Sequence, residues 1–216
     1  MEDVHPRLAG EGLSRADARL WVKRAIDAVG ASLGLLLSAP LLALAAVAIR
    51  LDSPGPVFFV QTRCGQGGRM FRMWKLRSMS VDAESRRDAL AHRNDLRGPV
   101  FKMRDDPRVT RVGRWLRRSS IDEIPQFWNV LRGEMSLVGP RPPLPREVLL
   151  YGPREWRRLD VKPGLTCIWQ VSGRNDIDFD EWVAMDLHYI ENWSLFTDLA
   201  LLLRTLRAVL SGTGAS

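Results

Sequence analysis

The sequence predicts a mostly helical α/β protein that is held to a membrane by one N-terminal helix and carries a compact domain with amphipathic surface helices behind it. Three observations predict this. Residues 25–49 form an almost uncharged apolar run. Two short β-rich stretches flank the glycine cluster Gly65, Gly67 and Gly68, as in a hairpin. Leu195–Leu210 repeats apolar residues at helical spacing, interrupted by Arg204 and Arg207.

The apolar run, AIDAVGASLGLLLSAPLLALAAVAI, has about the length that spans a bilayer. It is too long for a signal peptide and lacks a small-residue cleavage site. Pro40 sits in its middle, where it removes a backbone hydrogen bond and kinks a helix. Lys23 and Arg24 precede the run and Arg50 follows it. Since cytoplasmic flanks carry the excess of Lys and Arg, positive charge at both ends favours a bent helix that enters and leaves by the same face. In that form Ser38 is expected to satisfy a carbonyl freed by the proline. A straight span with a tolerated proline and a buried core helix are the alternatives that the residues leave open.

Residues 1–20 are polar and read as an arm, 21–50 as the membrane helix and 51–216 as one further domain. Asp52-Ser53-Pro54-Gly55-Pro56 is a turn. Strands are expected at 57–61 and 70–75. The intervening GQGG lacks the Lys-Ser/Thr of a phosphate loop and reads as a hairpin turn. Residues 80–94 are highly charged and read as a solvated helix or loop. Helices are expected over 106–119, 121–131 with Pro125 near its start, 151–159, 180–192 and 195–210, and a short strand over 168–171. The last helix is expected either in the membrane interface or packed on the domain. Of the eight tryptophans, most are expected in the core and some at headgroup depth.

A length of 216 residues and 45% hydrophobic content support one domain with a real core. The net charge of +7 and a pI near 10.2 point to an anionic partner: nucleic acid, membrane surface or anionic small substrate. No zinc-finger spacing, basic zipper or RNA-binding aromatic signature accompanies that charge, which argues against nucleic acid. Cys64 and Cys167 stand far apart outside any CxxC and read as free thiols, not a disulfide frame or zinc site.

The most informative stretch is SSIDEIPQFWNVLRGEMSLVGPRP, from Ser119 to Pro142. It places Asp122 and Glu123 side by side after the basic run Arg114–Arg118, and holds Arg141 between Pro140 and Pro142. Carboxylates ligate a hard divalent cation, and arginines bind phosphate oxygens bidentately. The bland counterpart is an exposed helix start capped by Ser119 or Ser120, with the acids at its positive end. His5, His92 and His188 are scattered and carry no catalytic assignment.

In their order, KRAIDAVGA, RLDSPGPVFFVQTRCGQGGRMFRMWKLRSM, DPRVTRVGRWLRRSSIDEIPQFWNVLRGEMSLVGPRP, VKPGLTCIWQVSGRND and MDLHYIENWSLFTDLALLLRTL make the chain resemble the bacterial sugar transferases, the small monotopic polyprenyl-phosphate phosphoglycosyl transferases. The likeness runs from about Trp21 to Leu210. It implies a re-entrant kinked membrane helix and a compact cytoplasmic catalytic domain at the bacterial inner membrane. In the family the kink is often Ser-Pro; here Ser38 precedes Ala39-Pro40. Larger relatives carry an N-terminal multi-span region, and this chain resembles the minimal form.

The resemblance implies transfer of a sugar 1-phosphate from a UDP-sugar to undecaprenyl phosphate with release of UMP, the first membrane-committed step of exopolysaccharide, O-antigen or glycoconjugate assembly. Asp122 would be the nucleophile that forms an aspartyl phospho-sugar. Glu123 would bind Mg²⁺. Arg117 and Arg141 match phosphate-binding arginines, Lys75 in WKLRSM is expected at phosphate, and Arg174 in SGRND at the nucleotide. Asp186 in MDLHYI matches a further acidic site residue. Membrane lipids, glycan-assembly proteins or further copies of the chain are the other partners implied. An inactive membrane-anchored scaffold is the main competing reading, which the intact Asp122–Glu123 pair and Arg141 oppose. A nucleotide-sugar hydrolase, which would release free sugar phosphate, is a second.

Overall fold

The computed structural model describes residues 15–95, 98–101, 103, 105–172 and 178–211. One helix, α1, covers Arg15–Asp52 and begins before the expected 21–50 segment. Pro40 lies inside its helical run. The Ser38 hydroxyl donates to the carbonyls of Gly34 (2.6 Å) and Leu35 (3.3 Å). The carbonyl that Pro40 deprives of its partner is that of Leu36, so the expected rescue by Ser38 is corrected. The serine instead back-bonds to the preceding turn, an arrangement that bends helices.

α1 buries a narrow stripe, Asp27, Ala31, Ala45 and Ile49, and leaves Leu33, Leu36, Leu37, Leu44 and Val47 exposed. It is long and apolar enough to cross a membrane over Ala18–Asp52, and little of that stretch is covered by protein. Small residues permit its close packing. A side chain at Gly34 would meet the Phe127 ring at 2.7 Å.

The expected hairpin is present. Strands β1 (Phe58–Cys64) and β2 (Met70–Leu76) pair antiparallel from Phe58↔Leu76 to Cys64↔Met70. A second, two-stranded parallel sheet joins β3 (Ser136–Val138) to β4 (Gly164–Thr166). The sequence predicts neither of these strands, because three-residue strands carry no measurable period. Gly164 touches Gly139 so closely that a Cβ would sit 2.0 Å from the Gly139 nitrogen. Both residues must therefore be glycine.

Between the sheets, α2 (Arg111–Arg118) is capped by the Thr110 hydroxyl. The expected single helix over 121–131 is corrected to a 3₁₀ turn at Ile121–Glu123 followed by α3 (Gln126–Leu131). Pro125 divides them, since it lacks the N–H that a continuous helix needs there. α4 (Pro145–Val148) and α5 (Pro153–Trp156) are single turns. The expected strand at 168–171 is corrected to a helical turn, α6 (Ile168–Val171), whose Trp169 stacks on Trp182 at 4.3 Å. α7 (Phe179–Glu191) and α8 (Leu195–Ser211) complete the chain.

The core lies in three groups. One gathers Trp169, Trp182, Val183 and Leu187 around Tyr151. A second joins Ala31 of α1 to Met73, Val130, Met135, Leu137 and Tyr189. A third seats Ala45 and Ile49 of α1 on Leu76, Leu116 and Ile121. Trp169 and Trp182 are buried, whereas Trp21, Trp115, Trp128 and Trp156 are exposed, so the expectation that most tryptophans are core is corrected. Trp115 and Trp128 stand on α2 and α3, the two helices that flank α1.

Both ends of α1 are tied to the same body. Arg24 donates to the carbonyls of Val130 and Leu131, and Asp27 accepts from Ser136 and the Leu137 amide. At the other end Asp52 accepts from the Val112 amide.

Candidate active site

The 3₁₀ turn that carries Asp122 and Glu123 follows Ser120, whose φ of 57° is left-handed. Among described residues it is the one non-glycine with positive φ. Such a conformation costs energy and persists where packing enforces it. The expected serine caps are corrected: Ser120 makes no capping bond, and Ser119 donates back to Trp115 and Leu116. The carboxylates are therefore oriented by packing on β2 and not by a helix start.

Asp122 is 7% exposed and lines a cavity of about 400 Å³. Burial raises its pKa from 3.8 to about 6; Lys75 and Arg117 oppose the rise, and Glu123 adds to it. Lys75, on β2, donates to Glu123 Oε1 at 2.8 Å. Lys75, Arg117, Asp122, Glu123 and Arg141 all line this one cavity, so five of the residues singled out in the sequence converge. Arg174 lies outside the described residues.

Arg141 is set by its neighbours. Cys64 N–H donates to Pro143 O, Gly164 N–H to Pro140 O, and Gly139 N–H to Thr166 O. Proline fixes φ on both sides, so the backbone that presents Arg141 is pinned between the two sheets. Its guanidinium lies 5.8 Å from the Trp169 ring centre.

Asp186 is 1% exposed and is not part of the cavity wall. It accepts from Arg158 at 2.8 Å, and burial raises its pKa to about 6 against the pull of that guanidinium. It stands behind the wall and orients Arg158, which lines the cavity and also donates to the Tyr151 hydroxyl.

Of the cavity arginines that the sequence did not single out, Arg63 and Arg158 stand beside the Arg141 loop. Arg158 sits in the charge run WRRLD, which looks like a solvated face. Arg63 sits on β1, where it donates to Pro142 O and to Gln61. Burial, then the nearby Arg141, lowers its pKa to about 10. Arg63 lies past the strand expected at 57–61, so nothing in the sequence signals that it turns inward.

Among the described residues no three His, Cys, Asp or Glu side chains cluster to chelate a metal by themselves. Asp122 and Glu123 offer hard oxygen donors beside an anion-attracting wall. That set fits a Mg²⁺ ion, which keeps waters and takes phosphate oxygens from a substrate rather than a full protein cage.

A buried carboxylate with a raised pKa, a second carboxylate and convergent cations suit phosphoryl chemistry. Residues 18–212 match the profile of the family described as bacterial sugar transferase. This chain belongs to that family. It is 50% identical over 200 residues to the galactosyl transferase CpsE of Streptococcus agalactiae, covering 92% of this chain and 44% of that protein. It is 45% identical over 201 residues to a UDP-glucose:undecaprenyl-phosphate glucose-1-phosphate transferase of Caulobacter vibrioides, covering 89% and 71%. To the exopolysaccharide production protein ExoY of Rhizobium meliloti it is 40% identical over 197 residues, covering 89% and 87%. The chain thus spans less than half of CpsE and most of ExoY.

Proposed function

We propose that this chain transfers a sugar 1-phosphate from a UDP-sugar to undecaprenyl phosphate and releases UMP, at the cytoplasmic face of a bacterial inner membrane. The observation that carries the reading is Asp122, a buried carboxylate with a raised pKa in a cavity walled by arginines and next to an exposed apolar helix. The names of the relatives from Caulobacter and of ExoY support the substrates and the place in exopolysaccharide synthesis.

In the first step an Asp122 carboxylate oxygen attacks the sugar-proximal phosphorus. The bond from that phosphorus to the bridging oxygen breaks, and UMP leaves with the electron pair. In the second step a phosphate oxygen of undecaprenyl phosphate attacks the same phosphorus, Asp122 departs as carboxylate, and a polyprenyl diphospho-sugar results. Two displacements let a water-soluble and a lipid substrate use one small site in turn. Lys75 and Arg117 keep Asp122 ionised at neutral pH against its desolvation. Arg141, pinned by its prolines, holds the donor's phosphates, with Arg63 and Arg158 behind it. Glu123, with Asp122 beside it, would hold Mg²⁺, which neutralises diphosphate charge and stabilises the leaving UMP.

α1 is proposed to enter and leave the membrane by one face. Its two ends bind the same domain, and its outward side chains are apolar.

The test is UMP release from a panel of UDP-sugars by detergent-solubilised protein, with and without undecaprenyl phosphate and Mg²⁺. Acceptor-dependent release with one donor, lost in Asp122→Asn and after chelation, is expected. Full-rate release without acceptor, accompanied by free sugar phosphate, would show a hydrolase instead.

A further inference from the structure

No step of the reaction above uses Glu147. It is 5% exposed and lines the cavity, so what little of it is open opens there. One carboxylate oxygen, Oε2, accepts from the Leu144 amide at 2.8 Å and caps the single turn of α4. Among the described residues nothing donates to the other oxygen, Oε1. A buried carboxylate with an idle oxygen is costly unless a donor reaches it. The cap needs only one oxygen, so the fold leaves the second unused.

β1 measures where that oxygen stands, at about 3.3 Å per residue. Phe59 is in register with Lys75, which holds Glu123. Five residues further on, Cys64 N–H donates to Pro143 O, directly before Leu144. The anchor of Glu147 is therefore roughly 16 Å along the strand from the register of Lys75. Arg63, next to Cys64, donates to Pro142 O and so brings its cation to the Arg141 loop. Glu147 acts on the Arg63 charge more strongly than Glu123 does, as that order requires. Along the cavity the chemistry thus runs from the paired carboxylates, past Arg141 and Arg63, to a single carboxylate.

This order matches that of a UDP-sugar. The hexose is bonded to the phosphorus that Asp122 attacks and stays beside it. The ribose is separated from that phosphorus by the second phosphate and a methylene carbon, beyond the charges that arginines suit. An ionised carboxylate only accepts, and it repels phosphate, so its ligand is a neutral hydroxyl. Ribose presents two, and a carboxylate on ribose hydroxyls is a recurrent way to hold a nucleotide.

We propose that Glu147 is a donor-binding residue whose Oε1 accepts a hydrogen bond from a ribose hydroxyl of the UDP-sugar, which fixes the nucleotide half at the α4 end of the cavity. This rests on the transferase reading above. One side chain then serves twice: Oε2 shapes α4, and Oε1 discriminates against nucleotides that lack the ribose hydroxyls.

Calorimetric titration of the full-length protein in detergent, with Mg²⁺ and either UDP or 2′,3′-dideoxy-UDP, tests the contact without the hexose. The wild type is expected to bind UDP about thirtyfold more tightly than the dideoxy nucleotide, the worth of one hydrogen bond to a charged acceptor. Glu147→Gln keeps the α4 cap, since an amide oxygen also accepts from the Leu144 amide. It is expected to weaken UDP about fivefold, because a neutral acceptor bonds about half as strongly as a charged one. Affinity for the dideoxy nucleotide and KM for undecaprenyl phosphate should not change. Equal losses on both nucleotides would make Glu147 purely structural and overturn the proposal. A wild type that binds the two nucleotides alike would overturn it too, even should the variant fold poorly. A raised KM for the UDP-sugar with unchanged affinity for UDP would move the carboxylate to the hexose and end the ribose assignment. A wild type that discriminates between the nucleotides yet releases UMP from no donor would support the ribose contact and overturn the transferase reading beneath it.

Discussion

At Asp122 the requirements of fold and reaction oppose one another. The folded protein holds its carboxyl near 6, against 3.8 in the unfolded chain. Protonation therefore favours folding: the contribution is complete below about pH 4 and is lost as pH rises through about 6. At neutral pH the ionised carboxylate costs about 3 kcal/mol. Asp122→Asn is expected to abolish transfer yet raise the melting temperature at neutral pH, with the gain vanishing near pH 4; calorimetry at both values checks this. Transfer itself should fall below about pH 6 as Asp122 protonates. Lys75→Met removes a charge that holds this pKa down, so the acid limb of the rate profile should move to higher pH; an unmoved or lowered limb would deny Lys75 that role. Arg158 and Asp186 form a buried pair at 2.8 Å. Asp186→Ala strands a guanidinium and should cost about 3–5 kcal/mol in a denaturant titration. Asp122, Glu123, Lys75, Arg117 and Arg141 were readable from residue type and motif. Arg158 was not, because a charge run gives no sign of which member turns inward.

Individual elements succeed or fail as sequence signals according to length. The β1–β2 hairpin and α7 and α8 were legible because seven or more residues establish a period or a turn signal. β3, β4 and α6 were not, since three or four residues fit either period and their partners lie far away in the chain. α2 illustrates an element fixed by contact. Thr110 N–H donates to Ser78 O, and a Cβ on Gly113 would lie 1.9 Å from that same oxygen. Gly113→Ala is expected to destabilise by about 1–3 kcal/mol, because backbone cannot yield as a side chain does. Since α2 carries Arg117, the same variant should also weaken donor binding; a fully stable and active Gly113→Ala would show that the segment is pliant.

On the scale of the whole molecule, α1 is both a helix long and apolar enough to cross a membrane and part of the core. Its first half completes the group around Val130 and Leu137, and its second half the group around Leu76 and Ile121. A re-entrant course predicts that in spheroplasts both flanks resist a protease added outside; cleavage of either flank from outside would exclude it. By itself, the sequence determined the long apolar helix, the hairpin, the paired carboxylates and the family, because those rest on local period, punctuation and contiguous motif. Tertiary structure decided what no local signal carries: that Lys75 meets Glu123 across 48 residues, that Pro140–Pro143 is pinned between two sheets, and that Asp186 serves Arg158 instead of the cavity. The physical reason is burial. Desolvation sets the pKa of Asp122 and turns charged residues inward, and it exists only once distant segments have closed over them.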